Sequence, residues 1–212
     1  MVVLRNGPNG GFSGKVSSVI GYQLNGQDII KGLPKKRRRK KISKLEQANR
    51  DKFALTQAWL KPLVDILRIG FKDYAPTYQG FVAAKSYNSK HALKQTEDGK
   101  PYIDPALFMW SYGTLTLPES ISMERLENKL IFTWSTEDSH RSLDQAMLVA
   151  YVPQANIYRS DVAAAKRYTG TASLSLPKLL PKEYDIHIYI AFVAFDHSQR
   201  SNSKYLGSFK AG

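Results

Sequence analysis

From about Phe108 onward, the apolar residues of this 212-residue chain recur at every second position, in short runs broken by turn residues. A period of two puts alternate side chains on opposite faces of an extended strand, so this half is confined to β structure with a buried face. The runs predict strands near 108–117, 129–135, 146–152, 155–160, 171–176, 184–195 and 203–209. Turn signals separate them: Glu127-Asn128, Glu137-Asp138-Ser139, Gly170, Pro177 to Pro181, and Asp196 to Ser203. Roughly seven short strands in about 100 residues match an immunoglobulin- or fibronectin-type sandwich. Trp134 falls on an early strand, where such sandwiches often bury a tryptophan. Leu180-Pro181-x-x-Tyr184 leads into the most apolar strand, as a tyrosine-corner strand would.

The half before Phe108 has other periods. Arg5 to Gly14 is rich in glycine and reads as an irregular arm. Lys15 to Tyr22 alternates, Asn25-Gly26 is a favoured hairpin turn, and Asp28 to Lys31 is the return strand. So short a hairpin is marginal alone and needs something to pack on. Ser43 stands three residues before Glu46, the spacing of a capping box, which predicts a helix start. Leu45, Ala48, Phe53, Leu55, Trp59 and Leu60 give that helix a wide apolar face. Pro62 kinks it or starts a second helix carrying Leu63, Val64, Ile66, Leu67 and Ile69. Phe81 to Leu93 predicts a further short helix, and Thr96 to Pro105 a connector. The expected class is α+β. The expected parts are an arm and hairpin (1–34), a basic segment with helices (35–107) and a fibronectin-like sandwich (108–212).

Charge is concentrated near the N-terminus. Residues 1–52 hold thirteen Lys/Arg against three Asp/Glu, a net of +10 out of the chain's +13. Its centre is the uninterrupted run Lys35, Lys36, Arg37, Arg38, Arg39, Lys40 and Lys41. Seven adjacent cations repel one another and call for an anionic surface: nucleic acid, an acidic membrane or an acidic protein patch. Neutralising several phosphates would give salt-sensitive, sequence-blind binding. The plainer interpretation is a solvated linker, or a loop paired with acidic residues of a neighbouring copy.

The block Gly11-Phe-Ser-Gly-Lys-Val-x-Ser-Val-Ile-Gly-Tyr22 is distinctive. It is followed by Gly26-x-Asp-x-Ile30, Pro34, Gln47 with Phe53, and Gly70-Phe71. Phe81-x-x-Ala84-x-Ser-Tyr-Asn88, Gly113-x-Leu and Ser203-x-Tyr-Leu-Gly207 complete the set. Together they resemble a domain-of-unknown-function family common in Bacteroidota, over nearly the whole chain. The resemblance implies no particular activity. It does imply synthesis inside the cell without a signal peptide, and a fibronectin-like C-terminal half.

Several chemistries lack their residues. With no cysteine there is no disulfide, thiolate nucleophile or Cys-based metal site. A phosphate loop needs glycine where Asn9 stands and Ser or Thr where Val16 follows Lys15. No two of His91, His140, His187 and His197 have the i, i+4 spacing of a helical zinc site. His187, between Ile186 and Ile188, is expected on the polar face of its strand. No nucleophile elbow is present. Tyr74, Tyr78, Phe81 and Tyr87 cluster in sequence and suit a satellite core better than a base-stacking platform. No catalytic residue, cofactor site, metal site or small-molecule substrate is expected. The sequence has no apolar run of transmembrane length and no secretory apolar segment, so cytoplasmic synthesis is expected. A phage-like or released assembly remains open. The leading expectation is a non-catalytic structural protein that self-associates into an oligomer, filament or shell. The alternative is a sequence-nonspecific nucleic-acid binder using residues 35–41.

Overall fold

The computed structural model of the chain describes residues 3–4, 11–24, 26–33, 42–72, 74, 80–137, 141–176 and 180–211. The chain divides into two compact units, residues 1–43 and 44–212.

The first unit is a four-stranded antiparallel sheet in sequential order. Its strands are β1 (Val3–Leu4), β2 (Phe12–Val16), β3 (Val19–Leu24) and β4 (Gln27–Gly32). It therefore has more strands than the expected hairpin. The alternation from Lys15 to Tyr22 is not one strand: it turns at Ser17-Ser18, where Ser17 takes φ 48°. Gly26, at φ 80°, turns the chain between β3 and β4. Registers fix the two faces. Ile20, Tyr22, Leu24 and Ile29 share one face, and Val16, Val19, Gly21 and Ile30 the other. The ring of Phe12 lies across Gly21, where a Cβ would come within 2.6 Å of it.

The second unit begins with α1 (Lys44–Leu60), directly after Ser43. Pro62 sits in a 3-10 turn, Lys61–Leu63, that breaks α1 from α2 (Val64–Gly70). Next come α3 (Gly80–His91) and the small hairpin β5 (Leu93–Gln95) and β6 (Pro101–Ile103). Seven strands follow: β7 (Ile121–Leu126), β8 (Lys129–Trp134), β9 (Gln145–Val152), β10 (Ile157–Lys166), β11 (Thr171–Ser175), β12 (Asp185–Val193) and β13 (Lys204–Lys210). They form two antiparallel sheets, ordered β11-β8-β7 and β10-β9-β12-β13. Among the described residues no helix is long and apolar enough to cross a membrane.

The four-stranded sheet is covered on both faces. Even-numbered residues of β9 and β12 (Leu148, Ala150, Ile188, Ile190 and Phe192 among them) share a core with Leu130, Phe132, Trp134 and Leu174 of the three-stranded sheet. Odd-numbered residues (Met147, Val149, Tyr151, Tyr189, Ala191 and Val193) share another with Leu60, Leu63, Ile66, Leu67 and Phe71 of the helical layer. Burial on both faces explains why these strands read as nearly continuous apolar runs.

Two sequence expectations need correction. Residues 108–117 are not a strand. They thread irregularly from one core to the other, with Phe108 and Trp110 in the helical core and Leu115 in the intersheet core. The segment is pinned by side-chain bonds: Ser111 Oγ donates to Ser201 O at 2.8 Å, and Trp110 N donates to Ser203 Oγ at 3.1 Å. Asn88 on α3 holds its start, donating from Nδ2 to Met109 O and accepting Met109 N at Oδ1. Close approach also needs Gly70, where a Cβ would overlap the Trp110 carbonyl oxygen. The strand missing from the sequence pattern is β7. It is the edge of the three-stranded sheet, and its Ser122, Glu124 and Arg125 are exposed.

Candidate functional site

The run Lys35 to Lys41, singled out by its charge, lies outside the described residues, as does Tyr78. The other middle-segment aromatics do come together. Phe71, Tyr74, Tyr87 and Tyr112 form one ring cluster, with Tyr74 and Tyr112 edge-on at 5.0 Å. Phe71 is fully buried and the cluster packs on the helical core, as expected for a satellite core. Phe81 is half-buried against the same core. Among the described residues no group of three His, Asp or Glu side chains is placed to hold a metal ion.

Two surfaces stand out. One is the N-terminal sheet. Val16 and Ile30 are exposed on one of its faces, and Tyr22 and Leu24 on the other. Ile30, at 64% accessible, sits on the edge strand β4. Of the described residues in this unit, Gly21 alone is buried. Part of α1 is similarly bare: Leu45 is 73% and Phe53 63% accessible. The Phe53 ring carries the ammonium of Lys85 at 3.3 Å, and Lys85 also donates to Gln57 Oε1 at 2.6 Å.

The other is a groove of about 380 Å³ in the second unit. Leu55, Ala58 and Trp59 of α1 form one wall. Tyr151 and His187, which are paired neighbours on β9 and β12, form the floor. Pro153, Gln154 and Asn156 of the β9–β10 turn form the rim. That turn is set locally. Pro153 starts a 3-10 turn with its fixed φ, and Asn156 ends it in the left-handed region at φ 54°, which asparagine tolerates.

The groove is aromatic and uncharged. Trp59 meets Tyr151 edge-on with centroids 5.4 Å apart, and the His187 ring lies 6.1 Å from Trp59. Tyr151 Oη donates to the Trp59 carbonyl at 2.8 Å, tying α1 to the sheet. Burial pushes the Tyr151 phenol above its usual range and keeps it neutral. His187 Nδ1 lies 3.2 Å from Tyr205 Oη. Burial pushes the His187 imidazole below its ordinary value, partly opposed by Asp185.

His187 was expected on a polar face. It is instead 9% accessible, because the face opposite Ile186 and Ile188 is covered by helices. Alternation marks a solvent face only where a strand is covered on one side. The groove joins α1, β6, β9 and β12, elements far apart in sequence, so no local motif marks it.

The described residues thus define an α+β protein with a doubly covered antiparallel sheet, a separate small sheet and an uncharged aromatic groove. The chain belongs to a family of unknown function, DUF6266, which it matches over residues 11–207. No curated protein and no solved structure matches it.

Proposed function

We propose that this protein is a non-catalytic structural protein that self-associates into an oligomer or repeated assembly, such as a filament or shell. Contacts run through its N-terminal sheet, α1 and its sheet edges. The observation that carries the proposal is the pair of apolar faces on the N-terminal sheet, with Val16 and Ile30 on one side and Tyr22 and Leu24 on the other. A few strands without a covered face are marginal in water. Edge strands such as β4 and β13 carry unpaired backbone groups that suit addition of a strand from another copy. In the second unit, Leu45 and Phe53 of α1 are exposed apolar side chains in their own right.

The seven C-terminal strands are read, within this proposal, as a fibronectin-type sandwich. The orders β7-β8-β11 and β10-β9-β12-β13, the shared intersheet core and the buried Trp134 support that assignment.

A second reading is favoured by the net charge of +10 in residues 1–52: sequence-nonspecific nucleic-acid binding by Lys35 to Lys41. Salt separates the two. Apolar self-association persists at high salt, which screens the repulsion between copies carrying +13 each. Phosphate binding weakens steeply. The test is size-exclusion chromatography with light scattering on nuclease-treated protein at low and high salt, followed by electron microscopy. Large regular particles at both salts are expected. A monomer at both salts that shifts only when nucleic acid is added at low salt would reverse the ranking.

A further inference from the structure

We propose that the groove between α1 and the β9–β10 turn is a binding site for an uncharged, flat, apolar small molecule that carries a hydrogen-bonding atom for the free ring nitrogen of His187. The inference is independent of self-association. About 380 Å³ falls within the range of small-molecule sites, which pair an apolar lining with a few converging polar groups.

The lining sets the ligand class. In a chain with a formal charge of +13, no Lys, Arg, Asp or Glu among the described residues lines this groove. An anionic ligand therefore gains nothing there that the N-terminal region does not offer more strongly. Trp59, Pro105 and Pro153 supply flat apolar walls.

The polar groups set the orientation. Nδ1 of His187 is engaged by Tyr205, and the other ring nitrogen has no hydrogen-bond partner among the described residues. An imidazole buried to this degree carries a desolvation cost that a leucine at the same place would not. The Trp59 indole N–H is also buried without an acceptor. Trp110 Nε1, which does not line this groove, is unpaired in the same way, so of the two groups it is the His187 ring nitrogen that sets the ligand's orientation. Gln154 and Asn156 stand exposed at the rim, where a second polar atom of the ligand can reach them.

The probe for the test is 2-naphthol, a flat neutral ring system with one hydroxyl, with 2-naphthalenesulfonate as its anionic counterpart. Equilibrium dialysis against the full chain measures affinity, and tryptophan fluorescence reports occupancy. Saturable, one-to-one binding of 2-naphthol is expected. Ala58→Phe fills the groove from an exposed position on α1, so melting should be unchanged while affinity falls at least tenfold. His187→Leu should weaken 2-naphthol several-fold without affecting the sulfonate, which is expected to follow the basic N-terminal region instead. Absence of saturable binding would overturn the proposal, as would equal binding by Ala58→Phe. Saturation by an aromatic- or proline-rich peptide but not by 2-naphthol would make the groove a protein-docking site and would also overturn it.

Discussion

The two sheets at the centre of the two units both carry apolar residues on two faces and have opposite fates. In β9 and β12 both faces are apolar, and both are covered within the unit, by helices on one side and the three-stranded sheet on the other. In the sheet of β1 to β4 both faces are apolar too, yet Val16, Tyr22, Leu24 and Ile30 remain exposed. The first arrangement accounts for its own stability, because burying a large aliphatic or aromatic side chain contributes about 1.5–3 kcal/mol. Among the described residues the second has no comparable source. The difference teaches that β9 and β12 find their cover within residues 44–212, whereas the described residues of the N-terminal sheet leave apolar side chains open, which the proposed self-association would cover.

Truncation in the doubly covered sheet should have the largest effect. Phe192→Ala removes a fully buried ring that packs edge-on to Trp134 at 5.5 Å. It is expected to cost about 3–5 kcal/mol in urea unfolding. A cost under about 1 kcal/mol would break the contrast.

Gly21→Val is next. Its Cβ would meet the Phe12 backbone carbonyl oxygen as well as the ring, so β2 itself must shift, at a cost of about 1–3 kcal/mol or more. The loss should appear as faster amide exchange in residues 12–32, with the melting of residues 44–212 unmoved. A lowered main transition would show that the units are not energetically separate.

Tyr151→Phe removes the hydroxyl that donates to the Trp59 carbonyl and should cost about 1 kcal/mol.

His187 adds a pH dependence. Its pKa is lowered in the fold from 6.5, so below that pH the unfolded chain takes up a proton that the folded chain refuses. Stability should be constant above about pH 7 and should fall from pH 6.5 down to the pH where folded His187 itself protonates. The urea midpoint of His187→Gln should be flatter across that window.

Ile30→Ala should have the smallest effect on dilute protein, under about 0.5 kcal/mol, since its side chain is already exposed. Light scattering should nevertheless show weaker association, and unchanged association would remove β4 from the interface.

Much of this architecture was legible in the sequence because it rests on local rules. The helix start after Ser43, the break at Pro62 and the turn at Gly26 fall where capping, proline and glycine signals put them in the sequence. β9, β12 and β13 follow from apolar runs bounded by turns. What escaped was decided by tertiary cover. Phe108, Trp110 and Leu115 alternate like a strand, but they serve two different cores from an irregular segment. β7 reads as polar because one face is solvated at a sheet edge. His187 sits among isoleucines on a strand whose second face is covered by α1, which its neighbours in sequence cannot reveal. The groove needs four distant elements, so composition alone did not suggest a ligand site. The basic run was plain from sequence and lies outside the described residues.

Amide hydrogen exchange at several protein concentrations tests the contrast most directly. Protection in residues 12–32 should rise with concentration if, as proposed, other copies cover the N-terminal sheet. Protection in β9 and β12 should stay constant. Strong, concentration-independent protection of residues 12–32 would contradict the account, because it would mean that this sheet is stable without a partner.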